Sequence, residues 1–266
     1  MAEFKTREKV VGVNGNLMTV EFTDQVMQNE VAFATVGDAK LKCEVIRVRG
    51  NRADLQVFES TNGLKVGDEV EFTGELLSVE LGPGLLTQVY DGLQNPLNLL
   101  AEKSGFFLQR GVYLRALDRE RVWEFTPTAA AGDRVRAGDA VGWVPEGIVK
   151  HRIMVPFAWK GEWTLREVKP AGEWKIDDVM AVAVNEQGES RNITMTQFWP
   201  VKIPITDYAE KLLPEKTLIT QQRSIDTFFP VAVGGTFCTP GPFGAGKTVL
   251  QHAISQHAEA DVVIIA

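Results

Sequence analysis

The sequence predicts a mixed β and α/β protein: a small N-terminal β-barrel, a β-rich insert, and the start of a phosphate-loop α/β domain. Three observations predict it. Up to Phe72, short strand-like runs alternate with Gly/Asn turns at the close spacing of a small closed barrel. Residues 111–190 return to the same β character and carry Trp143, Trp159, Trp163 and Trp174. Finally, Gly241-Pro242-Phe243-Gly244-Ala245-Gly246-Lys247-Thr248 fits G-x-x-x-x-G-K-[ST], and a helical pattern follows it.

In the barrel, Lys9 to Val13 and Leu17 to Phe22 flank Asn14-Gly15-Asn16, a hairpin signal. Lys42 to Val48 and Ala53 to Phe58 flank Arg49-Gly50-Asn51-Arg52 in the same way. Val66 to Phe72 adds a strand after a turn. Barrels of this size often bind nucleic acid, but the only basic cluster here is Arg47, Arg49 and Arg52. A structural barrel is therefore expected, with no nucleic-acid partner.

From residue 74 the pattern changes. Gly82-Pro83-Gly84 marks a turn. Asn95 is placed to cap a helix with Pro96 at its first position, running through Leu97, Leu100 and Ala101 to Gly105. The apolar run Phe106-Phe107-Leu108 is expected to be buried. Gly132 to Gly142 reads as a hairpin-rich G-D-x-V pattern. Lys150 lacks the flanks of a lipoyl or biotin attachment site. His151 has no second histidine and no cysteine nearby, which argues against a metal centre there. An aromatic core accounts for the tryptophans. Further on, Phe198-Trp199-Pro200-Val201 reads as extended, Leu213 to Thr217 as a loop, and Ser224 to Phe229 as a short helix stopped by Pro230.

Around the glycine-rich run, Thr236-Phe237-Cys238-Thr239 reads as a strand before the loop and Asp261 to Ala266 as a strand after the helix. Val249, Leu250, Ala253, Ile254 and Ala258 share one helical face. Small residues at 241, 244, 245 and 246 let backbone N–H groups wrap an anion, and a helix start aims its positive end at the same place. On this reading Lys247 reaches the β- and γ-phosphates of ATP or ADP, and the Thr248 hydroxyl holds Mg²⁺. Gly241, Pro242, Phe243, Gly244, Ala245, Gly246, Lys247, Thr248 and Val249 form the phosphate-binding set.

Composition sets the remaining bounds. Net charge is −7, without a basic block. Two cysteines, Cys43 and Cys238, make no disulfide framework and are expected to be free thiols in separate domains. Met1 to Arg7 does not resemble a signal peptide, and no apolar run is long enough to cross a membrane as a helix.

Several segments resemble the catalytic A subunit of V-type (vacuolar/archaeal-type) rotary ATPases. They are Gln88 to Leu97, Gln109-Arg110-Gly111-Val112, Gln197 to Val201, Gln222-Arg223 with Asp226 and Phe229-Pro230, and Gly234-Gly235-Thr236 leading into Pro240 to Thr248. The resemblance implies residues 1–73 as barrel and 74–110 as the first part of the nucleotide-binding domain. It implies 111–190 as the insert and 191–266 as a RecA-like phosphate-loop domain, incomplete at its end. It implies ATP hydrolysis or synthesis in a ring alternating with B subunits, coupled through central and peripheral stalks to H⁺ or Na⁺ movement in a membrane sector. The location would be cytoplasmic, peripheral to that membrane.

Three features depart from that family. Gln221 stands where its T-G-Q-R run carries glycine. Ala245 stands where eukaryotic relatives carry a cysteine. The sequence ends at Ala266, before the family's G-E-R glutamate and its second acidic motif, so a fragment is expected, inactive by itself. Two other readings compete: a non-catalytic nucleotide-binding module for ring assembly, and another hexameric motor of the Rho-like kind.

Overall fold

The computed structural model describes residues 6–206, 210 and 212–266. Readings that fall on residues 1–5 lie outside the described residues. The chain divides into two units, 1–207 and 208–266.

In the first unit, β1 (Thr6–Asn14), β2 (Leu17–Glu21), β3 (Glu30–Val36), β4 (Ala39–Arg49), β5 (Arg52–Val57) and β6 (Glu69–Leu76) form a closed barrel. Its order is β1-β2-β5-β4-β3-β6, with every neighbouring pair antiparallel. Both expected hairpins are present, turning at Gly15-Asn16 and Gly50-Asn51. Alternation sends Met18, Val20, Leu41, Cys43, Val45, Leu55, Val70 and Phe72 inward, and all are fully buried. Ala32 sits opposite both Cys43 and Phe72, so small side chains make room for large ones. Each large aliphatic or aromatic side chain so buried contributes about 1.5–3 kcal/mol.

The sequence reading missed β3, and the reason is physical. Its inward positions are the alanines Ala32 and Ala34, while its bulky Phe33 points outward and meets Tyr113 edge-on, 5.9 Å between centroids. The apolar pattern is thus nearly inverted. The expected strand at Val66 starts only at Glu69, because residues 65–68 form a turn closed by the Lys65 amide donating to Asp68 Oδ2 (2.9 Å).

That turn recurs. In the pairs Ala130/Asp133, Arg136/Asp139 and Lys175/Asp178, the first residue's amide donates to the carboxylate three places on, at 2.7–2.8 Å. Gly67, Gly132 and Gly138 occupy the third turn position at φ of 95°, 96° and 84°, where a side chain would be strained. The repeated Gly-Asp pairs of the sequence are therefore turn formers. Gly132 to Gly142 is not a hairpin, however: its two strands join different sheets.

After β7 (Ser78–Leu81) comes α1 (Leu97–Ser104), ending at Gly105 as expected. Asn95 does not cap it. Pro96 holds the cap position, with no side-chain hydrogen bond. Asn95 is buried instead, its Nδ2 donating to Asp91 Oδ2 (2.8 Å) and its Oδ1 accepting from the Leu114 amide (2.7 Å). Phe106, Phe107 and Leu108 are also corrected: they are 104%, 85% and 70% exposed.

The β module contains β8 (Val122–Pro127), β9 (Arg134–Val135), β10 (Ala140–Glu146), β11 (Val149–Met154), β12 (Trp163–Val168), β13 (Gly172–Lys175), β14 (Ala181–Asn185) and β15 (Ser190–Ile193). They form two four-stranded sheets, β11-β10-β8-β13 and β15-β14-β12-β9. One hydrophobic cluster takes residues from both sheets, among them Trp123, Phe125, Val141, Ile153, Trp163, Leu165 and Ile193. Trp159 and Trp163 pack in this cluster, with Trp174 partly buried against it, as a core reading requires. The chain leaves the module through β16 (Gln197–Pro200), antiparallel to β7. The strand that leaves the module is thus tied to one that precedes α1.

The second unit holds β17 (Thr217–Leu218), α2 (Arg223–Phe228), β18 (Val231–Ala232) and α3 (Lys247–His257). The two short strands pair with each other. The expected strands at Thr236–Thr239 and Asp261–Ala266 are absent: neither run pairs with any described strand. Ile264 and Ile265 are 86% and 75% exposed. An apolar run becomes a strand only where a ladder accepts its backbone groups.

Gly142 marks the tightest point of the module. A Cβ there would lie 2.3 Å from Phe125 Cε2 and 2.7 Å from the Thr126 carbonyl oxygen. Gly142→Ala should cost about 1–3 kcal/mol through forced displacement of the Phe125 ring. Chemical denaturation followed by tryptophan fluorescence reads this directly, and an unchanged midpoint would contradict the packing described.

Candidate functional site

The glycine-rich run leads straight into α3. Gly244 and Gly246 have φ of 80° and 82°, left-handed conformations that side-chain-bearing residues adopt at a cost. Gly246 is the N-cap of α3 and carries no side-chain cap. The amides of Lys247, Thr248 and Val249 open the helix and have no carbonyl four residues back to bond. The first bond along the helix runs from the Leu250 amide to Gly246 O, at 3.0 Å. These free donors and the positive helix end point the same way.

Lys247 is half-buried, and its Nζ donates to Gly241 O at 2.5 Å. The ammonium is thus held across the loop by the loop's own first carbonyl. Gly241 through Gly246 and Thr248 are exposed, with Phe243 fully so. Leu250, Ala253, Ile254 and Ala258 form the half-buried face expected of the helix, whereas Val249 is 73% exposed. The structure thus brings Gly241, Gly246, Lys247 and Thr248 together. It leaves Phe243 and Val249 directed into solvent.

The residues present suit a metal that arrives with phosphate. Thr248 offers one exposed hydroxyl oxygen, a ligand type that Mg²⁺ accepts. Among the described residues no group of three His, Cys, Asp or Glu is placed to hold an ion. His151 Nδ1 lies 2.7 Å from Glu146 Oε2, whose partner oxygen accepts from the Gly84 and Leu86 amides. Both cysteines are free, Cys43 buried in the barrel and Cys238 exposed. Burial raises the pKa of the Cys43 thiol.

Upstream of the loop the structure explains the departure at Gln221. This residue has φ of 59°, the conformation that glycine adopts most cheaply. Neighbouring bonds hold it there. Thr220 donates to Asp226 Oδ1 from its amide (3.0 Å) and hydroxyl (2.7 Å), and the Gln222 amide donates to Thr220 Oγ1 (3.2 Å). The residue types carried no clear signal of this Thr220–Asp226 lock. These hydrogen bonds hold the Asp226 carboxyl below its ordinary 3.8.

A six-stranded barrel followed by a two-sheet module defines the class. The beta-barrel domain of the ATP synthase alpha/beta family matches residues 10–74, and the barrel-sandwich domain of ATP synthase alpha/beta subunits matches 114–202. Within that class, the chain is 59% identical over 262 residues to a protein of Treponema denticola named V-type ATP synthase alpha chain. It is 58% identical to proteins of the same name in Borreliella afzelii and, as alpha chain 1, in Treponema pallidum. Each match covers 98% of this chain and 44–45% of the relative. The chain belongs to the V-type ATP synthase alpha chain family and spans less than half the length of these curated relatives.

Two outcomes follow for the Gln221 turn. Gln221→Gly should stabilise the 208–266 unit by roughly 0.5–1 kcal/mol, the left-handed strain relieved less the entropy that glycine loses. Slower amide exchange at Thr220 would register it; faster exchange would contradict it. The second outcome concerns pH. Because the folded-state value of Asp226 is depressed, its stabilisation is fully present above 3.8 and is lost as pH falls through the lower folded value. Exchange at Thr220, corrected for intrinsic rates, should be flat near neutrality and step up below 3.8. In Asp226→Ala that step should vanish; a step that persists would assign it to another group.

Proposed function

We propose that Gly241 through Thr248 cradle the phosphates of ATP or ADP, and that the chain is part of the catalytic subunit of a rotary V/A-type ATPase or ATP synthase. One conjunction carries this reading. A G-x-x-x-x-G-K-T loop caps an 11-residue helix in a chain 59% identical to a V-type ATP synthase alpha chain. Backbone amides at the loop and first helical turn, with Val249 closing the set, bind phosphate oxygens. Lys247 bears on the β- and γ-phosphates and Thr248 on Mg²⁺, which shields the phosphate charge when bound. The Gly241 carbonyl prepositions Lys247, so little side-chain entropy is lost when phosphate enters.

The domain division extends the proposal. Residues 74–110 belong with the nucleotide-binding part and 111–190 with the insert. The subunit alternates with B subunits in a ring and works through central and peripheral stalks on a membrane sector that moves H⁺ or Na⁺. It lies on the cytoplasmic side. Phosphoryl transfer also needs a group to orient water and charge to stabilise the transition state. The residues argued above supply the cradle, so turnover is a property of the assembly.

The test is Lys247→Ala within the assembled complex. ATP turnover should fall by roughly 10³-fold or more, since the positive charge on the β/γ-phosphates is lost. Near-normal turnover would contradict the assignment and favour the reading in which the loop serves ring assembly alone.

A further inference from the structure

A second group of cations gathers within the 1–207 unit. A cleft of about 480 Å³ is lined by barrel strand β4, the β7 strand and the linker that precedes the β module. Lys42, Arg115 and Arg119 line it. Arg119 is committed: it pairs with Glu80 and, at 2.9 Å, with Asp177 Oδ1. Its Nε is buried without an acceptor among the described residues. The side chains of Lys42 and Arg115 have no ion-pair or hydrogen-bond partner among the described residues. Gln94, which also lines the cleft, is spent, since its side chain bonds both backbone groups of Glu80 at 2.7 Å.

The charges do not balance. Three cations face two carboxylates, both held by Arg119, in a chain whose net charge is −7. Burial disfavours the charged form of Lys42, and the more distant Asp91 offsets this only in part. A half-buried ammonium without a bonded partner is a costly arrangement that an anion relieves. Two unpaired cations from separate elements match one doubly charged oxyanion.

We propose that this cleft is a second oxyanion site, in which Lys42 and Arg115 bind inorganic phosphate or the terminal phosphoryl group of a nucleotide. An anion there ties the barrel wall to the linker, since Lys42 belongs to β4 and Arg115 to the linker. Every residue that lines the site belongs to the 1–207 unit.

The experiment uses the 266-residue chain carrying Lys247→Ala, so that loss of the phosphate loop cannot be mistaken for loss of this site. Inorganic phosphate and ADP are titrated separately by calorimetry. At least one should bind, and which one does identifies the source of the phosphoryl chemistry. Lys42→Met keeps the aliphatic stem, and Arg115→Gln alters an exposed side chain. Each should weaken binding about tenfold, with melting temperature as the check on folding. Absence of binding by both anions overturns the proposal. So does binding that neither substitution changes, which would be the amides of the phosphate loop or an adventitious ion only.

Discussion

Buried and half-buried carboxylates govern how the 1–207 unit is held together. A buried carboxylate is tolerated only when donors surround it, and here many of those donors are backbone amides of connecting segments. Glu30 accepts from the Met27 and Gly74 amides, fixing the rim where β3 bulges against β6. Glu59 accepts from the Gly111 amide and the Tyr113 hydroxyl, while the Lys42 amide donates to that same hydroxyl. Asp91 gathers the amides of Leu93 and Asn95. Glu146 ties the turn after β7 to the β10–β11 hairpin. Removing any of these carboxylates would leave amides unpaired in poorly solvated places, at about 1–3 kcal/mol each.

These contacts give a physical role to segments that the resemblance marked without explaining. Arg110 donates to the carbonyls of Ser60 and Asn62, so the Gln109 to Val112 run is strapped to the barrel. Gln197 accepts from the Phe157 amide at the module's exit. Asp226 locks the turn at Thr220. Apart from the glycine-rich loop, the motifs seen to act here do so by joining elements. The β7–β16 ladder is another joint of this kind.

The legible parts of the sequence were those with local causes. Hairpins at Gly15 and Gly50 follow from two-residue turn chemistry, and α1 stops at Gly105 for a similar reason. The glycine-rich loop and the helix that it opens were legible because their backbone geometry depends on residues adjacent in sequence. The errors came where tertiary context decides. Asn95 is a good capping residue, but Asp91 and Leu114 claim its side chain. Phe106 to Leu108 and Val262 to Ile265 are apolar, but no described surface covers them. Strand β3 hid behind alanines. Gln221 was noticed only against a family pattern, and its left-handed backbone shows what that comparison was detecting.

The central claim is that phosphate is gripped by backbone amides at the start of α3. Amide hydrogen exchange of this chain, with and without Mg²⁺-ATP, tests it most directly. The account predicts slowed exchange concentrated at Gly244, Gly246, Lys247 and Thr248, with the barrel core unchanged. Saturating nucleotide that leaves these four amides exchanging as before would contradict it.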